Sequence, residues 1–137
     1  MEHFVVDTNI LAASFNGSDS LQPQSPQYID GLENGSYIFH LPMLVIAELI
    51  GTMSRIPTAN RFALLARTNQ SLRDWERSGK ILLYPLDRDR LELSVRVAQR
   101  DRLKGADSVI AALAEELGMP LKTFDEEIIT RFSQAST

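Results

Sequence analysis

Four acidic side chains stand where an α/β fold gathers ligands. Asp7 directly follows the apolar run Phe4-Val5-Val6, and Asp125 directly follows Leu121-Lys122-Thr123-Phe124. In open α/β sheets the ligand crevice lies beyond the carboxyl ends of the strands, so acids at strand ends are candidates for chemistry. Glu48 lies four and three residues after Leu44 and Val45 in an almost wholly apolar segment. Asp107 lies three residues before Ile110, at the head of the stripe Ile110, Leu113, Ala114 and Leu117. Helical spacing turns both toward the interior. Clustered carboxylates raise one another's pKa, whereas a divalent cation lets all of them stay ionised. Ligands that are all oxygen suit Mg²⁺ or Mn²⁺, ions that keep several waters and bind substrate phosphate. One such ion lowers the pKa of a water that attacks phosphorus, and a second would stabilise the leaving oxygen. Thr123 shares a strand face with Asp125 by period-two geometry and is placed to orient a water.

Each acid taken singly has a plainer explanation. Asp107 gains from a helix macrodipole, and Asp7 or Asp125 can cap the turn that follows. Lys104 and Lys122 offer ion pairs to Asp107 and Asp125, but no Lys or Arg lies within three residues of Asp7 or Glu48.

The elements that must position these groups follow from pattern. Phe4-Val5-Val6 is short, apolar on both parities and rich in β-branched residues, as suits a strand buried on both faces of a parallel sheet. Residues 17–26, rich in Ser, Gln and Pro, predict a loop, followed by a short helix over about 27–33 that Gly35 stops. Tyr37 to Leu41 is a second strand, and Pro42 suits the first turn of a helix that reaches about Arg55 before Pro57 ends it. Asn60 to Arg77 has helical spacing, Gly79 supplies a stop, and Ile81 to Tyr84 is a third strand. Asp87 caps a helix over about 88–102, and Gly105 separates it from a helix over 106–117 that ends at Gly118. Leu121 to Phe124 is a fourth strand and 126–132 a last short helix. Alternating strands and helices predict a mainly parallel sheet covered by helices on both faces, as one domain over residues 1–137.

Composition narrows the chemistry further. A chain of 137 residues, 44% hydrophobic and 23% charged, has an ordinary globular balance and buries roughly two thirds of its unfolded surface. It contains no cysteine, which removes disulfides, zinc–thiolate centres, iron–sulfur clusters and thiol nucleophiles. No stretch approaches the ~20 apolar residues of a membrane span, and the expected location is cytoplasmic. The net charge of −4 hides an asymmetry. Of 14 Lys and Arg residues, 12 lie between Arg55 and Lys104 against six acids there, so that segment carries +6 and the remainder −10. An acidic centre beside a basic docking surface gives such a partition, as does a solvated helix of mixed charge.

Four segments, in this order, resemble the PIN-domain family, and in particular the VapC-like toxins of bacterial toxin–antitoxin pairs. They are Val5-Val6-Asp7-Thr8-Asn9, Ile46-Ala47-Glu48-Leu49, the run Ala106-Asp107-Ser108-Val109-Ile110-Ala111-Ala112-Leu113-Ala114, and Leu121-Lys122-Thr123-Phe124-Asp125. The resemblance implies a compact three-layer α/β/α sandwich with a mainly parallel central sheet of four to five strands. It implies a Mg²⁺- or Mn²⁺-dependent endoribonuclease whose catalytic, metal-binding acids are Asp7, Glu48, Asp107 and Asp125, with Asn9 and Thr123 as polar support. Homodimers and a cognate antitoxin that blocks the site belong to the same expectation, with RNA as substrate.

Other groups are less telling. Arg55, Arg61 and Arg67, followed by Arg73 and Arg77, suit a rim for phosphate or for a partner's acids, or a plain solvated helix. His3 and His40 fit packing or surface roles. Aromatic residues are sparse and the phenylalanines core-like, so no base-stacking platform is expected. Alternatives are a catalytically silent PIN-fold module that grips RNA or protein, a DNA-directed nuclease, and an aspartyl phosphotransferase built on Asp7. The last commonly wants an acid two residues on, where this chain has Asn9.

Overall fold

The computed structural model describes residues 1–16 and 24–137. A five-stranded sheet in the order β3-β2-β1-β4-β5 forms its centre, and every pairing is parallel. The strands are β1 (Glu2–Val6), β2 (Tyr37–Pro42), β3 (Ile81–Tyr84), β4 (Leu121–Lys122) and β5 (Ala135–Ser136). The helices are α1 (Thr8–Phe15), α2 (Ser25–Glu33), α3 (Met43–Ser54), α4 (Arg61–Arg77), α5 (Arg88–Asp101), α6 (Gly105–Leu117) and α7 (Glu126–Arg131). Parallel neighbours need crossovers, and the helices supply them. Helix α6 packs on β1 and β2 and carries α5, while α2 and α4 contact β2 and β3 and are joined to α1 and α3. The result is the three-layer α/β/α arrangement expected from the sequence.

The central strand β1 is buried over its second half, Phe4 to Val6. Val5 and Val6 are fully enclosed, and Phe4 meets the rings of Tyr28, Tyr37 and Phe39. Register pairs Phe4 with Phe39 on one face of the sheet and Val5 with Leu121 on the other, so both faces of β1 are apolar. Two features absent from the sequence reading frame this strand. Helix α1 starts immediately at Thr8, because the Asp7 carboxylate accepts the Thr8 N–H and Ile10 and Leu11 bury completely. Strand β5 forms because Phe132, 1% exposed, anchors the chain end against the core, a burial that contributes about 1.5–3 kcal/mol. Leu121 and Thr123 then donate their N–H groups to the carbonyls of Gln134 and Ser136.

Some boundaries move. Strand β4 stops at Lys122 rather than Phe124, since side chains of Thr123 and Asn9 accept the N–H groups of Asp125 and Phe124. Helix α2 starts at Ser25, two residues before the expected Gln27, because Pro26 fits the first helical turn. Of the loop expected over 17–26, residues 17–23 lie outside the described residues. Leu117, placed on the buried stripe of α6, is only partly buried, whereas Ser108, Ala111 and Ala112 are buried. Phe62 is no core phenylalanine: it is 89% exposed near the start of α4, whose buried positions are Thr68, Leu72 and Trp75.

Gly31 lies within α2, directly against the ring of Tyr37. Alanine in a helix interior normally gains about 1 kcal/mol over glycine. Here the added Cβ would overlap Tyr37, which is itself packed on Phe4. Overpacking typically costs about 1–3 kcal/mol, so the clash outweighs the propensity gain. Gly31→Ala is expected to lower the stability measured by urea denaturation, and Gly31→Ala combined with Tyr37→Leu to recover part of the loss. Unchanged or raised stability in the single variant would show that Tyr37 yields freely.

Candidate active site

The acids meet at the carboxyl end of the sheet. Asp7 is the residue after β1 and is 6% exposed. Its Oδ1 accepts the Thr8 N–H at 2.7 Å, and its Oδ2 accepts the Thr123 hydroxyl at 2.8 Å. Glu48, half-buried on α3, accepts the hydroxyl of Thr8 at 2.9 Å, so Thr8 alone holds two carboxylates, one through its N–H and one through its hydroxyl. Asp107 sits half-buried in the first turn of α6. Asp125 caps α7, its Oδ1 accepting the Glu127 N–H at 2.9 Å.

Thr123 ties these elements together. Its hydroxyl donates to Asp7 and accepts from Asn9 Nδ2 at 3.3 Å and from the Asp125 N–H at 3.0 Å. One donor and two lone pairs are all a hydroxyl has, so the protein uses every position and leaves none for a water. Asn9 completes the tie by accepting the Phe124 N–H through Oδ1 at 3.2 Å.

The electrostatics follow from burial. Loss of hydration pushes the Asp7 carboxyl up from about 3.8 to about 6, against the opposing hydrogen bonds from Thr123 and Thr8, and the charges of Asp107 and Glu48 raise it further. Burial raises Asp107 as well, helped by Asp125, Glu48 and Glu127 and opposed by Lys104. Asp107 is therefore within electrostatic reach of Glu48 and Asp125, and Asp7 within reach of Asp107 and Glu48. Among the described residues, no three acidic or histidine side chains are already close enough to hold an ion, and none of the four is in an ion pair. Lys122 instead bonds the Ser136 hydroxyl at 3.0 Å. The donor set, carboxylates flanked by hydroxyls and an amide, has the chemistry of a hard divalent cation's ligands.

A family model described as the PIN domain matches residues 4–134. The chain belongs to the PIN-domain family. No curated protein matches it. Solved structures share the PIN fold at low identity. A toxin–antitoxin complex from Klebsiella pneumoniae is 20% identical with a TM-score of 0.72, over 98% of this chain and 96% of that one. FitAcB from Neisseria gonorrhoeae is 20% identical with a TM-score of 0.68, over 96% and 94%. VapC20 of Mycobacterium tuberculosis, titled a sarcin–ricin loop cleaving toxin, is 15% identical with a TM-score of 0.70, over 94% and 95%.

Within this PIN fold two polar residues escaped the sequence reading. Thr8 reaches Glu48, a contact that follows only once α1 and α3 pack together. Glu127 bears on Asp107 from α7 while pairing with Arg131 at 2.7 Å. Its position two residues after Asp125 was the available signal. Arg55, Arg61 and Arg67 are exposed around α3's end and on α4, away from the four acids in sequence and bound to none of them. His40 is 4% exposed, hydrogen-bonded to His3 at 2.9 Å and Tyr84 at 2.7 Å, and its burial lowers its pKa.

A raised carboxylate pKa means that the folded protein binds the proton more tightly than the unfolded chain does. Stability contributed by protonated Asp7 is present at low pH and is lost as pH rises from about 4 through about 6, by on the order of 3 kcal/mol. In chelator, urea denaturation of the wild type is expected to weaken across that window. Asp7→Asn should remove most of the slope, with a residue from Asp107, which shifts in the same direction. A slope identical in both proteins would place the proton elsewhere.

Proposed function

We propose that residues 1–137 act as one PIN-like nuclease domain that hydrolyses RNA phosphodiester bonds with the help of Mg²⁺ or Mn²⁺. The observation that carries this reading is that burial and neighbouring carboxylates, Glu48 and Asp125 among them, raise Asp7 and Asp107 beyond the sheet's carboxyl end, which favours a cation there. These four would hold the ion. Bound there, it supplies a Lewis acid for phosphate and an acidified water at neutral pH. The chain's own residues prepare the place. Thr123 and the Thr8 N–H fix both oxygens of Asp7, and the Thr8 hydroxyl turns Glu48 toward the same point. Asn9 holds Thr123 and the Phe124 backbone, which keeps Asp125 at the mouth of the site.

The surrounding proposal is a cytoplasmic toxin of a toxin–antitoxin pair, homodimeric and silenced by a cognate antitoxin. The shared fold with toxin–antitoxin proteins supports it. Among the described residues no helix is long and apolar enough to cross a membrane. A second reading, a catalytically silent PIN-fold module gripping RNA or protein, draws on the fact that no three of the acids are closed into a ligand shell.

Purified protein and an identically prepared Asp107→Asn variant, incubated with structured RNAs and matched DNAs, separate the readings. RNA cleavage is expected with Mn²⁺ or Mg²⁺, to vanish in chelator, and to fall roughly a hundredfold or more in the variant, beyond what loss of a residue merely supporting a ligand brings. Equal behaviour of the two proteins would sink the catalytic claim. Mn²⁺ is also expected to raise the unfolding midpoint of the wild type at pH 7 more than that of Asp107→Asn, since a ligand that binds only the folded state stabilises it. Equal shifts would remove Asp107 from the ion's ligands.

A further inference from the structure

Helix α4 and the turn before it border a trough that leads away from the acids. Its near part is lined by Asn9, Ala12, Thr52, Met53, Ile56 and Phe124, and its far part by Phe15, Ile56, Thr58, Asn60, Leu64 and Arg67. Ile56 and Asn16 belong to both parts, so the two are continuous. The near end opens at Asn9, one hydrogen bond from Thr123 and two from the Asp7 carboxylate. The far end carries one cation, Arg67. From Leu49 to Arg73 the chain has no acidic residue and four arginines, Arg55, Arg61, Arg67 and Arg73. Among the described residues none of the four is in an ion pair; the pairs of α4 begin with Arg77 and Asp74.

Resting on the nuclease reading above, we infer that this trough seats a single-stranded segment of RNA next to the bond cut, with Arg67 on a phosphate. The lining suits that occupant. Apolar groups on the near floor that keep some exposure, Ala12, Ile56 and Phe124, take the faces of unpaired bases, which a duplex keeps inside its stack. Hydroxyl, amide and guanidinium groups at the far end, Thr58, Asn60 and Arg67, take the backbone. Double-stranded RNA offers the trough phosphates but no base face. An extended acidic peptide would meet the arginine but would leave the connection to the acids without a purpose.

The test is fluorescence anisotropy of the full chain in chelator, with a short unstructured oligouridylate, an RNA duplex and an oligoglutamate peptide as probes. Arg67 is exposed and bonded to nothing in the described residues, so its variants fold as the wild type does. Arg67→Glu is expected to weaken oligouridylate binding about tenfold or more at low salt, and Arg67→Ala to reduce the salt slope by about 1. Arg67→Lys should retain most of the affinity, because a point charge still meets phosphate. Duplex binding should change little. Unchanged oligouridylate affinity in Arg67→Glu overturns the assignment, as does a loss confined to oligoglutamate, which would make the trough a peptide site. Cleavage by the wild type in Mn²⁺ is scored separately: Arg67-dependent binding without cleavage supports the trough and removes the nuclease reading alone.

Discussion

Everything at the carboxyl end of the sheet depends on one carboxylate taken out of water. Asp7 cannot avoid burial, because β1 is the central strand and the two residues before it are fully enclosed. Burying an ionised carboxylate without compensation is expensive enough that such groups shift their pKa or find partners. Asp7 does both. Two hydrogen bonds satisfy its oxygens, yet desolvation still dominates and the carboxyl is pushed up to about 6. A cation held there, as proposed, would offset the remaining cost.

The same carboxylate also organises the fold. By accepting the Thr8 N–H it starts α1 at once, and that helix presents the Thr8 hydroxyl to Glu48 and the Asn9 amide to Thr123. Thr123 in turn interrupts β4 and lets Asp125 cap α7. Capping and the proposed metal-holding role are therefore not rival explanations for Asp7 and Asp125. The cap fixes the carboxylate's direction, and the direction is what the site needs. A charge in the capping position costs the fold stability near neutral pH, which is the ordinary relation between a functional site and its scaffold.

Much of this was legible in the sequence for identifiable reasons. Val5 and Val6 before Asp7 announce a doubly buried strand, and the left-handed turns at Gly79 and Gly118 stop α4 and α6 where glycine suggests. The three-layer architecture follows from alternation alone. The misses are contacts that only packing creates. Thr8 is unremarkable until α3 lies over α1, and β5 is two residues long, too short for any period to register. The early end of β4 was invisible because its N–H groups are claimed by side chains, one of them 115 residues away. Phe62 was misjudged because residue type says nothing about which side of a helix faces the core.

A net charge of −4 is a poor guide to what a phosphate chain encounters on this molecule. At physiological ionic strength charges are screened over about 8 Å, so an approaching strand responds to the nearest patch and not to the sum. The acid-free stretch from Leu49 to Arg73 begins one residue after Glu48 and runs through the end of α3 into α4. The arginines therefore follow the helix that carries Glu48, with Arg55 at its C-cap and Arg61, Arg67 and Arg73 on the next helix, α4. An acidic pocket alone repels RNA, and a basic groove alone binds it without consequence. On the proposed RNA reading, phosphate contacts along α4 would offset the cost of bringing a polyanion to a cluster of carboxylates.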